Sequence, residues 1–214
     1  MRRIYNSEVN NQEIHSLIAK YGIVSDQVDA VELEAVLTEL VKNLQTTRGA
    51  ILEFGCYIGT TSMYIRRVMD MLKINSEFHV YDSFEGLPEK TPADESPLGE
   101  QFKAGELAVS KKAFIHEFQK AHLKLPIIHK GWFDELTPDD VPDDIAFVFL
   151  DGDYYESIKV PLQLITPKLK PGAAIVVDDY GNQALPGARK AVDEWCRAHR
   201  KTVREVKSLA VIYY

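Results

Sequence analysis

Cysteine is scarce in this sequence, and the two present, Cys56 and Cys196, stand far apart. With no CxxC and no cysteine–histidine pair at zinc spacing, neither a disulfide scaffold nor a structural zinc is expected. Long hydrophobic runs are missing too, since none approaches the ~18 residues that a membrane span needs. The opening stretch MRRIYNSEVNNQE carries no apolar h-region, so no secretory signal is expected and the cytoplasm is the expected compartment. Positive charge is in deficit: the formal net charge is -7. Without a basic stripe to neutralise phosphates, a dedicated nucleic-acid binder is disfavoured, whereas a cationic ligand is compatible.

What remains is an ordinary globular composition, 45% hydrophobic and 27% charged over 214 residues, enough for one domain spanning 1–214 with a sizeable core. Residues 1–24 have no clear period. From Ser25, which is expected to cap it, a helix is predicted by the spacing of Leu33, Val36, Leu37, Leu40, Val41 and Leu44, so that 1–45 reads as an N-terminal helical segment. Short apolar runs then alternate with helical periods: AILEF, a turn and a helix from Thr60; EFHVYD, ending in Asp82; and KKAFIHEFQKAHL and PIIHKGWF. DIAFVFLD, SIKVPLQLITPKL, PGAAIVVDD, PGARKAVDEWCRAH and a closing VREVKSLAVIYY complete the series. The alternation, with continuous apolar central strands, predicts an α/β fold with a parallel sheet covered on both faces. Residues 85–110 are polar and rich in proline, glycine and acids, which predicts a lid or substrate loop.

In such sheets ligands lie beyond the carboxyl ends of the strands, where this chain places its glycines and acids. EFGCYIG offers Gly55 and Gly59 but Tyr57 breaks the dinucleotide pattern, and no Gly-Lys-Ser/Thr follows to make a P-loop. Glu53 at the end of the first strand would repel a pyrophosphate and attract a cationic amino acid or sulfonium. Asp82 at the end of the next is placed to meet ribose hydroxyls. Together Glu53, Gly55, Gly59 and Asp82 are what an S-adenosylmethionine site would use, although a strand-to-helix turn also needs glycine for its own geometry.

Two later strands repeat one device: FVFLDGD and AIVVDD each run from apolar strand into acids. A single crossover separates Asp151 from Asp178, so the strand ends can converge, and Asp179 is adjacent. Three converging carboxylates repel unless one is protonated or a cation sits among them. Magnesium, which prefers oxygen ligands, answers that need, and no soft ligand nearby points to zinc. The same acids can instead cap a turn and a helix. An EF-hand is excluded, because Tyr155 and Glu156 occupy positions that loop reserves for a ligand and glycine. His129 could act as a base, Trp132 and Phe133 could hold adenine, Tyr154 and Tyr155 could touch substrate, and Trp195 belongs in the core.

ILEFGCYIGTTS, VYDSFEGLP, HKGWFDELTP, FLDGDYYES and VVDDYGNQALPGARKAVDEW together resemble the macrocin O-methyltransferase family, magnesium- and S-adenosylmethionine-dependent enzymes that methylate sugar hydroxyls in antibiotic tailoring. The resemblance implies a Rossmann-like class I methyltransferase fold with a mostly parallel seven-stranded sheet. It implies that Asp151, Asp178 and Asp179 ligate magnesium, with Asp151 also the general base. Carried over in the same way, Glu53, Gly55, Tyr57, Gly59, Thr60, Asp82, Ser83 and Trp132 line the cofactor pocket. It further implies a small-molecule hydroxyl acceptor, a sugar on a natural product, and no nucleic-acid or membrane partner; a homodimer follows only from the base rate for such enzymes. Family members often carry a longer N-terminal portion over the substrate site, so here 85–110 is expected to do more of the covering. A catechol-type methyltransferase and a nucleotide-binding protein without methyl transfer are the competing readings.

Overall fold

A computed structural model describes residues 11–214. Seven strands form one sheet in the order β3-β2-β1-β4-β5-β7-β6. In chain order they are β1 (Ala50–Phe54), β2 (Phe78–Asp82), β3 (Ile127–Lys130), β4 (Ile145–Leu150), β5 (Leu169–Val177), β6 (Arg204–Val206) and β7 (Leu209–Tyr213). The first five pair in parallel, while β7 runs antiparallel to both β5 and β6. The strand order changes direction between β1 and β4, so the carboxyl ends of these two strands diverge into a crevice there.

Six helices cover the sheet: α1 (Asn11–Tyr21), α2 (Ala30–Thr46), α3 (Thr60–Met71), α4 (Lys111–Lys120), α5 (Tyr155–Ile165) and α6 (Pro186–His199). The apolar stripes of α1 to α4 pack with Ile51, Val80, Phe147, Phe149 and Val176 into one core. Those of α5 and α6 pack with Leu52, Phe54, Val148, Leu150 and Ile175 into the other. Alternate residues of each strand feed opposite faces, so every position of β1 and β4 is buried and each such aliphatic side chain contributes about 1.5–3 kcal/mol. This double burial is why these strands read as unbroken apolar runs.

Two local expectations change. The aperiodic stretch before residue 24 contains α1, whose Ile14 and Ile18 are buried; its first ten residues lie outside the described ones. The cap of the next helix is Asp29 rather than Ser25: Asp29 Oδ1 accepts from the N–H groups of Val31 (2.8 Å) and Glu32 (3.1 Å). Ser25 is engaged elsewhere, its N–H donating to Thr60 Oγ1 (3.1 Å) and its hydroxyl accepting from Gln27 N–H (2.9 Å).

Residues 85–110 contain no strand or α-helix, only a single 3-10 turn at Pro92–Asp94. They are nevertheless tied down. Leu87 bonds through its backbone to Gly105 and Glu106 across the segment (Gly105 N–H to Leu87 O, 2.9 Å; Leu87 N–H to Glu106 O, 2.9 Å). Asp94, 3% exposed, accepts through Oδ2 from Thr91 N–H (2.8 Å) and hydroxyl (2.7 Å), and through Oδ1 from Tyr155 N–H (2.6 Å) at the start of α5. A carboxylate at a helix N-terminus is stabilised by unpaired amides, so Asp94 fastens the segment to that helix end. A Cβ at Gly187 would come within 1.9 Å of Asp94 Oδ1, so α6 is pressed equally close.

Candidate active site

Four strand ends meet at the crevice, and their backbone ladder carries on one step past each strand. Gly55 N–H donates to Tyr81 O (2.9 Å), Asp151 N–H to Phe54 O (2.8 Å) and Asp178 N–H to Leu150 O (2.8 Å). The acids after β4 and β5 are thus delivered side by side by the sheet itself. Oxygen atoms of Asp151, Asp178 and Asp179 all lie within 4.8 Å of one another. Asp179 sits at φ 58, a left-handed conformation that turns the chain back. Asn182 donates to its Oδ1 (2.9 Å), and Asp178 Oδ1 accepts from Asp179 N–H (2.9 Å).

Burial, then the charges of Asp178, Asp153, Asp179 and Glu53, push the Asp151 carboxyl well above the usual carboxylate range. Burial and Asp179 do the same to Asp178, and burial raises Asp179 against its bond to Asn182. Asp153, at φ 59, joins them with a pKa of about 7, raised by burial and by Asp179. Four acids in one place are mutually destabilising until a positive charge arrives. The donor set is all carboxylate oxygen, which fits a hard divalent cation such as magnesium and does not fit a thiophilic one.

A cavity of about 820 Å³ opens beside this group. Glu53 lines it at 0% exposure. Its Oε2 accepts from the Ser62 hydroxyl, whereas Oε1 is buried with no partner. Burial, opposed by Ser62 and reinforced by Asp82, raises its pKa to about 8. A buried orphan acceptor of this kind asks for a donor from a ligand.

The remaining predicted cofactor residues divide. Tyr57, Thr60, Asp82, Ser83 and Trp132 line the cavity, as does Gly55. Asp82 Oδ2 takes the N–H groups of Cys56 (2.8 Å) and Tyr57 (3.2 Å) and Oδ1 that of Phe84 (2.6 Å), so this carboxylate also shapes the glycine turn. The two glycines serve the protein's own packing. A Cβ on Gly55 (φ 83) would fall 1.8 Å from the carbonyl oxygen of Asp151, and one on Gly59 (φ 92) 2.7 Å from the Phe114 ring. Gly59 faces α4 and is not part of the cavity wall.

His129 lies off the cavity, stacked on Tyr81 (4.3 Å between centroids) with Nε2 3.0 Å from His79 Nδ1. Tyr155 bonds Glu194 through its hydroxyl (2.6 Å). Trp195 is core, its indole N–H donating to Thr166 Oγ1 (2.9 Å). Phe133 lines the cavity edge-on to Phe54, and Tyr154 lines it too. Sequence reasoning missed Asp153, Asn182, Ser62 and Asp94. Asp153 had a signal, the second acid of DGD; the others act through contacts that no local pattern announces.

The family model for macrocin O-methyltransferase matches residues 8–213. The chain is 30% identical over 154 residues to the 8-demethyl-8-(2,3-dimethoxy-alpha-L-rhamnosyl)-tetracenomycin-C 4'-O-methyltransferase of Streptomyces olivaceus, covering 69% of this chain and 58% of that protein. It is 28% identical to the mycinamicin III 3''-O-methyltransferase of Micromonospora griseorubida, covering 71% and 61%. It therefore spans only about three fifths of the length of these relatives. Among solved structures, a calicheamicin methyltransferase superposes with a TM-score of 0.74 at 20% identity, covering 99% of this chain and 88% of that one. The O-methyltransferase NovP does so with 0.69 at 24%, covering 85% and 77%. At these identities the superpositions establish the class I methyltransferase fold.

Proposed function

Because the chain belongs to the macrocin O-methyltransferase family, we propose that it is an S-adenosylmethionine- and magnesium-dependent O-methyltransferase acting on a sugar hydroxyl. The observation that carries the reading is the meeting of Asp151, Asp178 and Asp179 beside the unpaired buried oxygen of Glu53. The relatives' own names, as sugar O-methyltransferases of antibiotic pathways, agree with it.

The roles follow from position. Glu53, with Oε1 unpartnered, would receive the cofactor's ammonium group, and Asp82, Ser83 and Trp132 would hold its nucleoside part. Asp151, Asp178 and Asp179 would hold the ion, with Asn182 bonded to Asp179 Oδ1 to orient it. When bound, the cofactor supplies an electrophilic methyl group and magnesium supplies Lewis-acid polarisation that makes an alcohol more acidic. Asp151 would accept the proton from the acceptor hydroxyl once the ion has displaced its own. Phe133 and Trp132 give the cavity an aromatic part of its wall.

Calorimetric titration is expected to show binding of S-adenosylhomocysteine and none of NAD, which separates methyl transfer from a nucleotide-binding role. Asp151→Asn, and separately EDTA, are each expected to lower turnover of a glycoside acceptor by about 10²–10⁴-fold. Undiminished methyl transfer under both would falsify the metal-and-base reading, and a preference for catechols over sugars in the same assay would move the acceptor class.

A further inference from the structure

A buried carboxylate is ordinarily steadied by a cation or by several amides. Glu53 has neither among the described residues. No lysine, arginine or histidine of that set lines the cavity beside it, and Arg66, one turn beyond Ser62 on α3, is turned to Asp70 (2.7 Å). The charge that acts on Glu53 is that of Asp82, which opposes its ionisation. Its recorded donor is a neutral hydroxyl, that of Ser62.

The bond is a product of β1, its turn and α3. Glu53 is the fourth residue of the strand and Ser62 the third of the helix, and both are 0% exposed. Gly55 and Gly59, with φ of 83 and 92, turn the chain so that the first turn of α3 comes back against the strand end. A serine hydroxyl in a helix ordinarily bonds back to a carbonyl of the preceding turn. Here it reaches out of the helix to Oε2, and Oε1 is left without a partner. A cation in the place of Ser62 would fix Glu53 equally well, but it would cancel the carboxylate's charge and repel a ligand ammonium. A hydroxyl fixes the side chain and favours its ionised form while adding no charge. Burial and Asp82 keep a proton on Glu53, with a pKa of about 8, and Ser62 works against both. The carboxyl gives that proton up to meet an arriving cation more readily than it would without the hydroxyl.

We propose that Ser62 is a positioning and specificity residue for the cofactor: by holding Glu53 Oε2 it presents Oε1 to a ligand ammonium group, so that the site selects an adenosyl thioether carrying the amine over one that lacks it. The inference rests on the methyltransferase reading and deepens it at the cofactor's end; neither the strand-end acids nor the acceptor enters it. Ser62 acts through Glu53 and is not itself a catalytic residue.

The test compares two probes by calorimetry on the full chain with magnesium present: S-adenosylhomocysteine and its deamino analogue, which differ only in the ammonium group. The parent is expected to prefer S-adenosylhomocysteine by about tenfold or more, the scale of one hydrogen bond to a charged group. Ser62→Ala is expected to lose several-fold of the affinity for S-adenosylhomocysteine and none of that for the analogue, and to add no loss on top of Glu53→Gln. Ser62→Cys, close to serine in shape but only a weak donor, is expected to repeat the selective loss, which separates the missing bond from a cavity left by alanine. A parent that binds both probes alike, a Ser62→Ala variant with the parent's affinity for S-adenosylhomocysteine, equal losses for the two probes, or the full loss persisting beside Glu53→Gln, overturns the inference. A parent that binds neither probe overturns the methyltransferase reading itself, so the two failures are distinct.

Discussion

Glu53 has no exposure to solvent, and only one of its two carboxylate oxygens is hydrogen-bonded. Its pKa of about 8 in the folded chain stands against 4.5 for an ordinary glutamate. Between those values the folded protein keeps a proton that the unfolded chain releases. Stability from this group is therefore complete below pH 4.5 and lost as pH rises through about 8. Glu53→Gln stays neutral throughout. It is expected to match the parent near pH 5 and to exceed it near pH 9 by on the order of a few kcal/mol in urea unfolding, at about 1.4 kcal/mol per pKa unit. Parallel stability curves for the two proteins across that range would refute the assignment. Glu53→Gln also removes the carboxylate proposed to meet the cofactor's ammonium once it ionises, so affinity for S-adenosylhomocysteine is expected to fall near pH 9, where stability improves.

At the scale of the element, the 85–110 segment holds its place through one side chain more than any other. Asp94 satisfies Thr91 and Tyr155 N–H groups at once. Asp94→Ala orphans both and opens space over Gly187. The expected loss is about 1–3 kcal/mol, with faster amide exchange at Leu87 and Gly105, whose bonds close the segment on itself. If exchange at those two amides stays at the parent's rate, Asp94 is not the fastening. None of this was legible from the chain, because Asp94 and Tyr155 are 61 positions apart; composition alone marked the stretch as a loop. Helix caps show the same limit more gently. Ser25 and Asp29 are both good N-caps by chemistry, and only the contact between Ser25 and Thr60 decides against the first. The strands were far easier, since burial on both faces leaves Ile145–Leu150 and Ala173–Val177 unbroken apolar runs. Their acids were legible for the same reason: a charged residue directly after such a run has to lie at the sheet's rim.

For the whole molecule, charge at the cavity would couple a bound cation, protons and folding. The acids around Asp151 all have raised pKa values, that of Asp153 reaching about 7, so they release their protons at higher pH than ordinary carboxyls do. Protons and cation compete for the same oxygens. Saturating magnesium is expected to raise the calorimetric unfolding midpoint by several degrees at pH 8, the equivalent of about 2.7 kcal/mol at a hundredfold excess over the dissociation constant. It should do much less at pH 5 and nothing in an Asp178→Asn, Asp179→Asn double variant; a midpoint indifferent to magnesium at pH 8 would remove the cation from the picture. The order of the sheet has a separate outcome for how the protein is made. β7 slots between β5 and β6, with Val176 beside Val211 and Glu205 beside Ala210. Chain emerging from a ribosome can assemble the first five strands, but an inner rung stays vacant until residues 209–213 have cleared the exit tunnel. Until then one flank of β5 is a bare, sticky edge, and the nascent polypeptide is at its most chaperone-dependent in the interval before that strand emerges.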